Sequence, residues 1–70
     1  MKTDVAHEPR VALAVPGVHR VQVGETTIGY VLEAGPVFVS LLGSVYNTSC
    51  EIAQSRDLDR AVRMLLDVRA

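Results

Sequence analysis

Glycine and proline cut the first two thirds of this chain into short apolar runs, and that punctuation restricts the fold more than any other feature. Val11-Ala12-Leu13-Ala14-Val15 stops at Pro16-Gly17. That pair suits a tight turn, because proline presets the first corner and glycine accepts the second. Val18 to Val23 leads into Gly24-Glu25-Thr26-Thr27, a hairpin loop. Ile28 to Glu33 stops at Ala34-Gly35-Pro36, and Val37 to Leu42 stops at Gly43-Ser44. Runs of this length are too short for stable helices, and from residue 18 onward their apolar residues recur with period two. They read as strands. The first run, apolar at every residue, fits a strand covered on both faces. Residues 45–54 carry a weaker pattern, but Cys50, Ile52 and Gln54 alternate with Ser49, Glu51 and Ala53, which suggests a last strand near 49–54.

Only the C-terminal stretch changes period. Leu58, Ala61, Val62, Leu65 and Leu66 fall at i, i+3, i+4, i+7 and i+8, one continuous apolar stripe on a helix of about residues 58–68. Asp57 is a suitable N-cap, and Asp59 places negative charge in the first turn, where the helix dipole favours it. Asp59, Arg63 and Asp67 form an i, i+4 row of alternating charge.

These elements predict an α+β fold: an antiparallel meander of three or four strands with one C-terminal amphipathic helix packed on one face. Residues 1–10 read as a flexible N-terminal lead-in and residues 11–70 as a single small domain. Alternation over residues 28–42 puts apolar groups on both sides of the pleat. Tyr30, Leu32, Val39 and Leu41 share one side, and Val31, Phe38 and Leu42 share the other. One helix covers only one side. Assigning it to the first set leaves Val31, Phe38 and Leu42 for self-association, a second copy being the simplest cover. Edge-to-edge pairing of the strand at 11–15 is the alternative route to the same assembly.

Chain length points the same way. A domain of 70 residues hides only about 60% of its unfolded surface and has little stability to spare without a staple. Cys50 is the sole cysteine, so no internal disulfide forms. His7 and His19 lie twelve apart with no paired cysteine or HxxxH spacing, so no metal is expected. Association is the remaining staple, and the chain is 49% hydrophobic.

Little in the sequence suggests catalysis. Cys50 and His19 are the candidates for a nucleophile–base pair, but Cys50 is expected to pack inside as an inert thiol and His19 to face water. The carboxylates are scattered, and the glycines form no phosphate-cradling pattern. No enzymatic activity and no cofactor are expected. A net charge of −1 speaks against a dedicated nucleic-acid binder. Arg56, Arg60 and Arg63 nevertheless crowd the entry and first half of the helix, where they could contact phosphates, with Asp57, Asp59 and Asp67 interleaved. Residues 1–10 are polar and lack a signal-peptide pattern, and no stretch reaches membrane-spanning length, so the expected location is cytoplasmic.

Strands followed by Asp57-Leu58-Asp59-Arg60-Ala61-Val62, with Gly29-Tyr30-Val31 in an earlier strand, resemble the β-β-β-α plan of HicB-like antitoxin domains over about residues 18–66. The Pro-Gly-Cys segment usual there is absent, and this chain carries an extra strand. The expected function is a non-catalytic interaction or regulatory module, homodimeric, that binds another macromolecule, protein rather than nucleic acid. The alternative is a nucleic-acid-binding regulator or antitoxin-like protein that uses the helix arginines of a dimer.

Overall fold

The computed structural model describes residues 9–69. Five strands run in order: β1 (Pro9–Val15), β2 (Val18–Val23), β3 (Thr26–Ala34), β4 (Val37–Leu42) and β5 (Cys50–Ser55). A 3-10 turn, Tyr46–Thr48, lies between β4 and β5, and helix α1 (Leu58–Arg69) closes the chain. Each strand pairs antiparallel with the next, so the sheet order β1-β2-β3-β4-β5 is a simple meander. The α+β plan with a C-terminal helix is therefore as expected, with five strands rather than three or four. Both end runs, 9–15 and 50–55, find ladder partners. Of the expected lead-in, residues 1–8 lie outside the described residues, whereas Pro9 and Arg10 already pair with Val23 and Gln22.

Gly17 (φ 81°) and Gly35 (φ 63°) take the left-handed backbone that closes the β1–β2 and β3–β4 hairpins. Three ladders carry a bulge. Leu13 pairs with His19 and Val15 with Val18, leaving Ala14 unmatched. The same count leaves Ile28 unmatched between β2 and β3, and Ile52 between β4 and β5. A bulge redirects side chains relative to strict alternation. Ile28 accordingly enters the core with Val21, Val31, Ala61, Val62 and Leu65, and Ile52 packs against it.

The helix begins where expected. The Asp57 carbonyl accepts the first helical hydrogen bond from the Ala61 amide at 3.0 Å, and the Asp57 amide donates to Ser55 Oγ at 3.1 Å. Its apolar stripe lies on β3, β4 and β5. Two small residues set the docking. A Cβ on Gly29 would meet Leu65 Cδ2 at 2.9 Å and also collide with the Leu41 carbonyl oxygen. Ser40, fully buried, donates from Oγ to the Ala61 carbonyl at 2.8 Å.

That docking reverses the expected faces. Strand pairing puts Gly29, Val31, Ser40, Leu42 and Phe38 on one side of the pleat. This is the helix side: Val31 is fully buried, and Phe38 and Leu42 pack against the core. Both sides carry apolar residues in the sequence, and the side the helix takes carries the fewer, so hydrophobicity alone points to the wrong face. The choice follows from bulk, because Gly29 and Ser40 make the flatter face and admit the helix backbone closely.

The opposite side carries Val18, Tyr30, Leu32, Val39 and Leu41. It is not left bare. The segment after β4 folds over it: the Tyr46 ring stands edge-on to Tyr30 at 5.5 Å between centroids and 80° between planes, and Tyr30 Oη donates to the Ser44 carbonyl at 3.0 Å. Edge-to-face packing is the favoured geometry for an aromatic pair. Ser49 pins the turn by donating from Oγ to the Tyr46 carbonyl at 2.6 Å. Val18, Tyr30 and Val39 are buried on this side, opposite the helix.

Candidate interaction site

Among the described residues, exposed large hydrophobics lie on β1, on the segment after β4 (Val45 and Tyr46) and at the helix end (Val68). All of β1 is exposed, and Leu13 and Val15 show 62% and 56% of their surface. Among the described residues, every exposed large hydrophobic of the sheet lies on β1, namely Val11, Leu13 and Val15. The continuous apolar run read as a strand covered on both faces is instead an edge strand. Its inner edge pairs with β2, and its outer edge has no neighbour among the described residues.

The cause is the reach of α1. The helix lies over β3, β4 and β5 and extends toward β1 only with its flank. There Leu58, Val62 and Leu66 form one wall of an open groove of about 570 Å³, and Pro9 and Val11 form the other. Asp59, Arg63 and Asp67 stand along the helix rim. Val11 and Leu13 face the helix side, opposite Val21 and His19, while the bulge at Ala14 turns Val15 to the other side with Val18.

Edge strands are ordinarily protected by lysines, inward-pointing charges, proline or a bulge that twists them away. The stretch 11–15 holds no charge and no proline. Arg10, the one charge of β1, donates from Nη2 to the Gly24 carbonyl at 3.1 Å, which ties it to the β2–β3 loop of its own chain. The opposite edge differs. β5 carries Glu51 and Gln54, joined by a 2.8 Å hydrogen bond, whereas a bulge is common to both edges, at Ile52 in β5 and at Ala14 in β1.

The residues singled out for chemistry do not assemble. His19 on β2 and Cys50 on β5 are separated by β3 and β4, roughly 14 Å at ordinary strand spacing. Cys50 is exposed rather than buried, because it opens the edge strand β5 at the end remote from the helix entry. His19 is mostly covered instead of facing water, at 13% side-chain exposure, and its Nε2 lies 2.6 Å from a Glu33 carboxylate oxygen. This is the single salt bridge among the described residues, so the Asp59–Arg63–Asp67 row makes no close ion pair.

Arg56, Arg60 and Arg63 are all exposed. Arg60 and Arg63 line a shallow depression with Met64 and three carboxylates, Asp57, Asp59 and Asp67. Two positive charges against three negative leave that depression at −1, and Arg56 lies outside it. Among the described residues no group of three or more His, Cys, Asp or Glu could hold a metal ion, and no helix is long and apolar enough to cross a membrane.

No family model, curated protein or solved structure matches this chain. The likeness to antitoxin domains rests on the order of elements and two short segments, which do not carry a function. The residues of β1 and its groove carry the functional argument.

Proposed function

We propose that this protein is a non-catalytic interaction module that works as a homodimer and presents its assembled surface to another protein. The observation that supports it is β1: a strand exposed along its whole length, uncharged and apolar over residues 11–15, on a sheet edge with no neighbour among the described residues. An edge of this kind is a template for main-chain pairing with another chain. The surface for self-association is then the strand edge of β1. Val31 lies in the core and Phe38 and Leu42 are half-buried against it, so β1 offers the more exposed apolar surface.

Light scattering on the full chain tests the reading. The expected result is a species of twice 7.6 kDa at micromolar concentration. A monodisperse monomer that unfolds cooperatively would refute it. The nucleic-acid alternative predicts binding of a labelled duplex that weakens steeply with added salt, since phosphate contacts release counterions. A dimer held by a strand edge keeps its mass in the same salt series.

A further inference from the structure

We infer that two copies join by antiparallel pairing of β1 with β1 of the second copy about a twofold axis at Ala12, which extends the sheet to ten strands. This rests on the proposed self-association and adds its register. Self-pairing brings each residue near its own counterpart, so a charged strand would repel itself. Residues 11–15 carry no charge, and Arg10 is already engaged by Gly24. Pro9 and Pro16 bracket the stretch and lack the amide hydrogen that a ladder needs, so pairing is confined to residues 10–15.

The bulge at Ala14 then selects the register. Val11 and Leu13 face the helix side, and Val15 faces the other. An axis at Leu13 would set Val11 against a Val15 pointing to the opposite face. An axis at Ala12 sets Val11 against Leu13 of the second copy, twice, and gathers all four side chains on the helix side. Ala12 meets its own copy there, and Arg10 meets Ala14. A twofold of this kind stands perpendicular to the sheet, so both helices lie on one face, flanking the seam. The contact is isologous and closes at two copies. Head-to-tail pairing of β1 with β5 would not close, and it would set the charged and polar Glu51 and Gln54 of β5 against the apolar stretch of β1.

Single cysteines in a Cys50→Ser background test the register. Facing residues of an antiparallel pair hold their Cβ atoms about 4.5–5.5 Å apart, close enough for a disulfide after small adjustment. Ala12→Cys should oxidise to a covalent dimer in mild oxidant, whereas Ala14→Cys, displaced from its counterpart by roughly 13 Å along the strands, should stay a thiol. Leu13→Lys should raise the dimer dissociation constant at least tenfold while leaving the circular dichroism spectrum of the fold unchanged. A reduced protein that remains dimeric while Ala14→Cys crosslinks and Ala12→Cys does not would overturn the register and spare self-association. Polymers that grow with concentration would overturn the closed pair in favour of head-to-tail pairing. A monomeric parent would overturn both.

Discussion

Ser40 on β4 and Ala61 on α1 are joined by a 2.8 Å hydrogen bond from the serine hydroxyl to the alanine carbonyl, and both residues are completely buried. The bond fixes the helix against the middle of the sheet at the level where Val31 lies opposite Ser40. A hydroxyl in an apolar layer is costly unless it finds a partner. Here the partner is a helix carbonyl with a spare lone pair. The serine therefore fills a small space and specifies where along the strand the helix sits.

Ser40→Ala should destabilise the fold by about 1 kcal/mol, the usual net value of such a bond. Ser40→Val restores bulk without the donor and pushes on the Ala61 backbone, so it should cost more, roughly 1–3 kcal/mol. Urea titrations of the three proteins would check the order. A valine variant as stable as the parent would mean that the layer has slack there.

Gly29 makes the complementary prediction. Its absent side chain leaves the space that Leu65 and the Leu41 carbonyl occupy. Gly29→Ala should therefore destabilise by roughly 1–3 kcal/mol as an overpacked core site, even though alanine ordinarily suits a strand no worse than glycine. A melting temperature equal to the parent's would show that the helix shifts outward at no cost.

How much of this was legible beforehand depends on the kind of signal. The helix was, from Asp57 to its stripe, because a period of 3.6 residues has no competing interpretation over eleven residues. The hairpins were, because Pro16-Gly17 and Gly35-Pro36 admit few geometries. The faces were not. Alternation is relative, and a single bulge flips every residue beyond it, as Ile28 and Ile52 show. Residues 28–42 are apolar on both sides, so only the small size of Gly29 and Ser40 marks the face that takes the helix. β1 misled for a different reason: an apolar run predicts burial, and its position at the edge depends on what the rest of the sheet does.

Cys50 yields a prediction opposite to the one its residue type suggests. Free cysteines are commonly buried, but this one is exposed at the start of β5. An aromatic disulfide reagent should label it in the native protein nearly as fast as in denaturant. Labelling slowed a hundredfold under native conditions would place the thiol behind a cover, such as a second copy paired along β5.

Leucines 65 and 13 provide the last prediction, because the same truncation should have opposite readouts at the two sites. Leu65, on the sheet-facing side of the helix, is fully buried over Gly29 in the core cluster with Val31, so Leu65→Ala removes core contacts and leaves a cavity. The expected loss is roughly 2–5 kcal/mol, enough to unfold much of so small a domain. Leu13, at 62% exposure, contributes little burial within one chain. Leu13→Ala should change the stability of the isolated chain by less than about 1 kcal/mol, in keeping with a surface site. Its effect belongs to association. For a dimer the unfolding midpoint rises with protein concentration, because the second copy binds only the folded chain. Denaturation curves at several concentrations therefore separate the two residues. Leu65→Ala should lower the midpoint at every concentration, and Leu13→Ala should instead flatten its dependence on concentration. A midpoint for the parent that does not move with concentration would remove the distinction and leave Leu13 an ordinary exposed side chain.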